Sequence, residues 1–266
     1  MEYGELESLY NKYAMSFAGE DGTLPPMMAL KLEHTAKVVE NARLVAAGER
    51  LAPREAALAE AAALLHDTGR YEQLRRYGTF RDSESVDHAE FSYSIVKERG
   101  WLETWPAEDA AAVLDAVRHH NKRELPPGLP PLAAAVARVV RDADKLDIFR
   151  VLEERVRTTD WRNDSAAFWG LAPAEKPSPG VVRAILEERP VDYGLISSLA
   201  DFTLVQVGWM VSGLCHATSR RLCAARGHLE FRERFLAEIT GPAGRTDVEA
   251  VCEKARAVLA GEHASK

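Results

Sequence analysis

The 266-residue sequence has few cysteines, no glycine-rich phosphate loop, no long apolar run and no excess of positive charge. Each shortage removes a class of protein. The three cysteines, Cys215, Cys223 and Cys252, are odd in number and lack CxxC spacing, which argues against a disulfide framework and suits the reducing cytoplasm. The glycines form neither GxxxxGKS nor GxGxxG, so neither a P-loop nor a dinucleotide-binding turn is expected. The most apolar stretch, Leu199 to Cys215, contains Asp201 and Gln206 and falls short of a membrane-spanning helix. The N-terminal MEYGELESLYNKYAM is acidic and lacks an apolar signal core, so no export signal is expected. A formal net charge of -7 disfavours a general binder of nucleic-acid polymers. An acidic chain binds phosphate only through local cations or metal, which points to a small ligand in a pocket.

Strand signals are also scarce. There is no sustained period-two alternation and no Asn-Gly or Asp-Gly hairpin turn, whereas helical spacing recurs throughout. In PREAALAEAAALLHDTG, Pro53 suits a first helical turn, alanine and leucine propagate the helix, and Gly69 is expected to stop it. Met27 to Ala47 has a roughly helical period. Asp87 is placed to cap a helix from His88 to Arg99, and further helices are expected to begin at Pro106 and Pro131. Beyond the linker candidate Gly170 to Gly180, helices are expected near 181–188, 195–226, 229–239 and 246–260. The expected fold is all-α. A helical segment over 1–26 precedes a metal-binding core over 27–160, and a C-terminal helical extension over 161–266 belongs to the same globular unit.

Five of the eight histidines fall in the first half of the chain, on helices or at their ends. His66 is followed by Asp67, and His119 by His120. Neighbours on a helix point about 100° apart, so one pair cannot make a site alone, but several helices can converge on a cluster. Imidazole with carboxylate suits Mn, Fe, Co, Ni or Zn.

The order His34, His66-Asp67, His88, His119-His120, Asp142 resembles the HD-domain superfamily of metal-dependent phosphohydrolases. The likeness covers roughly Glu33 to Glu154, with ALLHDTGR and VVRDADKLD similar to that superfamily's motifs. His88 and the histidine pair resemble its two-metal members, the HD-GYP phosphodiesterases among them. In place of a GYP-type motif the chain has HHNKRELPPGLPP, so the cyclic-dinucleotide substrate is not carried over. The resemblance implies an HD helical bundle holding two divalent transition metals. One would take His34, His66, Asp67 and Asp142; the other would share Asp67 and add His88, His119 and His120. Asp144 and Asp147 are alternatives to Asp142, which is preferred because the DAD motif of the family places the ligand at its first aspartate.

Two metals about 3.5–4 Å apart can clamp a phosphoryl oxygen and lower the pKa of a bridging water. Net positive charge on the cluster would attract phosphate and stabilise the transition state, with the metal-bridging hydroxide as nucleophile. Arg70, where related phosphodiesterases carry a phosphate-binding lysine, and Lys145, near Asp142, are expected to neutralise the phosphate, with Asp67 as bridge. Arg75, Arg76 and Arg81 are candidates for a rim or a solvated surface. The expected activity is hydrolysis of a phosphoester or phosphoanhydride in a small phosphorylated substrate, a nucleotide by the resemblance. A non-catalytic nucleotide sensor and a di-iron oxygenase are the alternatives. The C-terminal helices are candidates for shaping specificity or for a homodimer interface.

Overall fold

Prolines open several of the helices, because a first-turn residue needs no intrahelical N–H partner. The computed structural model describes residues 3–163, 168 and 170–261. Its helices are α1 (Tyr3–Met15), α2 (Pro26–Gly48), α3 (Pro53–Leu65), α4 (Gly69–Tyr77), α5 (His88–Glu98), α6 (Ala107–His119) and α7 (Pro131–Thr158). After these come α8 (Pro179–Leu186), α9 (Leu199–Gly208), α10 (Ala217–Ala225), α11 (His228–Ile239) and α12 (Arg245–Leu259). Among the described residues the chain is helical without a strand; Ala174 and Thr240 form an isolated bridge. Tertiary contacts divide it into two units, Met1–Asp147 and Ile148–Lys266, with the boundary inside α7.

In the first unit α2 and α3 form a hairpin, and α6 packs against α3 and α5. The alanines of α3 at 59, 61, 62 and 63 are fully buried, and small side chains let the neighbouring helices approach closely. Leu58, Leu64 and Leu65 fill the gaps, each contributing roughly 1.5–3 kcal/mol by burial. The α1 helix also belongs to this unit: Tyr10 and Tyr13 are buried and pack edge-on against Tyr71.

Gly69 differs from its expected role as a helix stop: it is the first residue of α4. A Cβ there would lie 2.7 Å from Ser92 N and 2.9 Å from His88 O, so glycine is required for α4 to lie against α5. The stop comes at Gly78, whose φ of 68° ends α4 in the left-handed conformation that glycine adopts without strain.

The second unit is organised around a buried arginine. Arg232 has no exposed surface; it donates to Glu153 at 2.9 Å, to Gln206 at 2.6 and 3.0 Å, and to the carbonyls of His228 and Phe149. The expected helix over 195–226 is interrupted by a π-turn at Trp209–Gly213 before α10. Trp209 tilts against Phe149 and Trp161 packs edge-on to Phe235, so both serve packing; Trp169 lies outside the described residues. Cys223 and Cys252 are buried thiols pushed up to about 12 by desolvation, and Cys215 is exposed.

Candidate metal centre

Helices of the first unit deliver four imidazoles to one place. His34 lies within α2, His66 follows the last residue of α3, His88 opens α5, and His120 follows the last residue of α6. All four are buried. Each Nδ1 meets an oxygen. For His34 and His88 it is a carboxylate oxygen, Asp147 Oδ2 at 2.7 Å and Asp82 Oδ2 at 2.5 Å. For His66 and His120 it is a backbone carbonyl, Ala63 and Val117, at 2.7 Å each. An oxygen acceptor calls for a proton on Nδ1, which leaves the Nε2 lone pair free in the neutral ring. The Nε2 atoms of His34 and His66 are 3.4 Å apart, and those of His88 and His120 are 3.0 Å apart. Lone pairs facing one another so closely call for a cation or proton between them.

Asp67 stands between the two pairs, with one oxygen toward each. Its Oδ2 is 3.7 Å from Nε2 of both His34 and His66. Its Oδ1 is 3.5 Å from His88 Nε2 and 3.7 Å from His120 Nε2. Oδ1 is buried and has no hydrogen-bond partner among the described residues. A buried carboxylate oxygen without a donor is costly, and a metal ion is one group that would satisfy it. Asp144 Oδ1 completes the first pair, 3.1 Å from His34 Nε2 and 3.8 Å from His66 Nε2. His34, His66 and Asp144 thus bring donor atoms within metal-binding reach of one another, as do His66, Asp67 and His120. The donor set, neutral imidazole with carboxylate, fits a divalent transition metal.

The electrostatics suit cation binding. Burial pushes His66 and His88 down to about 4, so both rings are neutral near pH 7 and present lone pairs. Burial opposes charge on His34 as well, but its hydrogen bonds with Asp144 and Asp147 raise it above its ordinary value. Burial would protonate Asp67, yet Lys31, His66 and Arg70 hold it well below the usual carboxylate range. Asp144 is likewise kept ionised, against burial, by its hydrogen bond with His34.

Asp142 and His119, also expected as ligands, stand in none of the clusters of metal-capable donors. The reason is helical phase. On α7, Asp142 is two residues, or about 200°, from Asp144. Asp144 and Asp147, one turn apart, both reach the His34 ring. Asp142 is fully buried on the other side of the helix. His119 is about 100° from His120 and only half-buried. Lys145 shares the side of α7 that carries Asp142, and its ammonium donates to the Arg141 carbonyl at 3.1 Å. Arg75 and Arg76 pair with Glu72, and Arg81 with Glu84, on their own segment.

Arg70 reaches the centre. Its Nη1 is anchored by Phe80 O, Gln73 Oε1 and Asp82 Oδ1 at 2.7, 2.8 and 3.0 Å. That grip leaves Nε buried and without a hydrogen bond among the described residues, 3.4 Å from Asp67 Oδ1. Sequence reasoning missed two further residues. Lys31, one turn before His34 on α2, donates to Asp67 Oδ2 at 2.7 Å; that i,i+3 spacing was the available signal. Asp82 holds His88, and nothing in RDSES marks it.

Residues 32–148 match the family model of the HD domain. This segment is an HD domain. HD domains bind divalent metals and belong to metal-dependent phosphohydrolases acting on small phosphorylated substrates. The His-Asp pair of this HD domain is His66-Asp67, at the junction of α3 and α4. No curated protein and no solved structure matches the chain. No helix among the described residues is long and apolar enough to cross a membrane.

Proposed function

We propose that the chain is a two-metal phosphohydrolase that cleaves a phosphoester or phosphoanhydride of a nucleotide in the cytoplasm. The observation that carries this reading is the division of Asp67, one oxygen toward His34 and His66 and the other toward His88 and His120. His34, His66, Asp144 and Asp67 Oδ2 would hold one metal, and His88, His120 and Asp67 Oδ1 the other. Asp144 replaces Asp142 in this assignment, and His120 alone represents the histidine pair. When bound, such a pair supplies Lewis acidity toward phosphoryl oxygens and activates water for attack on phosphorus.

The chain's own residues do the rest. The Nδ1 hydrogen bonds fix all four imidazoles with Nε2 toward the centre, so no reorientation is needed when substrate arrives. Neutral rings add no negative charge, so the loaded cluster stays positive and attracts a phosphate. Arg70, held by three acceptors on Nη1, presents Nε to the site as a pre-oriented donor for a phosphoryl oxygen. Lys31 adds a second cation on the Oδ2 side of Asp67.

Elemental analysis of the purified chain and turnover of bis(p-nitrophenyl) phosphate with added Mn2+ test the reading. Two metals per chain with hydrolysis are expected, and Asp67→Ala should lose both metals and activity together. Two metals retained by Asp67→Ala would refute the bridge. Two irons with oxygen uptake and no hydrolysis would replace the hydrolase by an oxygenase.

A further inference from the structure

Asp82 sits in the short turn Asp82–Glu84 between α4 and α5, outside every ligand set considered above. Its two oxygens do different things. Oδ2 accepts from His88 Nδ1 at 2.5 Å, with the His88 backbone N–H and Asn121 Nδ2 each at 3.4 Å. Oδ1 accepts from Arg70 Nη1 and Gln73 Nε2, both at 3.0 Å. Gln73 is fully buried and fixes the turn further through Ser85 Oγ and the Val86 carbonyl.

These contacts close a ring of four groups that shares Asp67 and His88 with the second candidate metal position. Asp67 Oδ1 is 3.5 Å from His88 Nε2, and His88 Nδ1 is 2.5 Å from Asp82 Oδ2. Asp82 Oδ1 is 3.0 Å from Arg70 Nη1, and Arg70 Nε returns to Asp67 Oδ1 at 3.4 Å. The imidazole and the guanidinium are therefore each hydrogen-bonded to Asp82 at one edge and face Asp67 Oδ1 with the other.

We infer that Asp82 is a positioning residue that ties the second metal position to the phosphate-binding cation. It holds the His88 proton on Nδ1, which aims Nε2 at the centre, and it fixes the plane of Arg70. This inference rests on the two-metal reading. A carboxylate is needed because both of its oxygens accept. An asparagine offers one acceptor, so its amide N–H would confront either His88 Nδ1–H or Arg70 Nη1–H. Neighbouring Asp87 provides the comparison. It carries the same charge beside His88, but its carboxylate caps α5 through Ala89 N and Glu90 N and pairs with Asn121 and Lys122. Asparagine is an equally good N-cap, so Asp87→Asn should fold.

Mn2+ titration by calorimetry of the full chain, wild type beside Asp82→Asn and Asp87→Asn, tests the inference. The wild type and Asp87→Asn should bind two Mn2+. Asp82→Asn should keep the first and bind the second about 10–100-fold more weakly, the usual effect of removing an outer partner of a ligand. At saturating Mn2+, Asp82→Asn should also show a raised KM for bis(p-nitrophenyl) phosphate as Arg70 loses its anchor. Wild-type affinities in Asp82→Asn, or an equal loss in Asp87→Asn, would overturn the inference; the second result would reduce it to charge alone. A wild-type chain that takes fewer than two Mn2+ overturns the two-metal reading itself and this inference with it. Should Asp82→Asn not fold, long-range 1H–15N spectra of the zinc-loaded wild type decide. A proton on His88 Nδ1 supports the role of Asp82, and one on Nε2 overturns it.

Discussion

Asp147 Oδ2 lies 2.7 Å from Nδ1 of His34, joining the far end of the HD domain to its first histidine across 113 residues. The opposite edge of that ring faces Asp144 Oδ1 at 3.1 Å. One turn of α7 thus supplies both a candidate metal ligand and the group that aims the imidazole. Removing the aiming group should weaken the first metal without touching the second. Asp147→Ala is expected to reduce first-site Mn2+ affinity about 10–100-fold, read by calorimetry. Unchanged affinities would make the contact purely structural.

Helical phase makes a sharper prediction for the two remaining aspartates of VVRDADKLD. Asp144→Asn should lose the first metal and lower turnover of bis(p-nitrophenyl) phosphate by about a hundredfold or more, the scale of losing one well-placed electrostatic group. Asp142→Asn should bind both metals as the wild type does. Metal analysis and steady-state kinetics on the two variants read the difference directly, and the reverse pattern would restore Asp142 as the ligand.

Gly69 links packing to chemistry. A Cβ at this position meets Ser92 N at 2.7 Å and His88 O at 2.9 Å, both backbone atoms that cannot swing aside. Gly69→Ala should therefore push α4 from α5, cost about 1–3 kcal/mol as overpacking does, and displace His88. Urea unfolding together with Mn2+ stoichiometry would show a joint loss. Normal stability would mean that the helices separate freely.

Glu153 predicts an acid limb in the stability of the chain. Although burial favours its protonated form, His228 at 2.6 Å and Arg232 at 2.9 Å hold the carboxyl below its ordinary value. A depressed carboxyl stabilises the fold fully above its unfolded-state value of about 4.3. That contribution is lost as pH falls through the lower folded-state value. Unfolding free energy should thus decline on acidification below about pH 4, and Glu153→Gln should decline less steeply. Arg232→Met, which removes the fully buried partner of the Glu153 carboxylate and leaves it only the exposed Arg157 as an arginine partner, should cost about 3–5 kcal/mol at pH 7. Urea unfolding followed by circular dichroism at several pH values measures all three, and an identical acid slope in Glu153→Gln would remove Glu153 from the account.

How much of this was legible in the sequence depends on what kind of information each residue carries. The helical period, the missing strand signals and the order of His34, His66, Asp67, His88 and His120 along the chain established an all-α fold and an HD domain. These are properties of local spacing and residue chemistry, which survive without knowledge of packing. Asp67 stood out because an adjacent His-Asp pair is a short-range pattern.

The choice between neighbours was not local. Asp142 and Asp144 are chemically identical and both largely removed from solvent, and His119 and His120 differ by a single step along the chain. Which of each pair faces the centre is set by the rotation of α7 and α6 about their axes, and packing against other helices fixes that rotation. The roles of Lys31 and Asp82 arise only when α2, α4 and α5 bring separate segments within hydrogen-bonding distance of Asp67 and His88. The sequence by itself determined the fold class and the chemistry of the donors. Tertiary structure decided which atoms meet, because a helix carries every side chain in sequence order but only one azimuth of it can face a shared site.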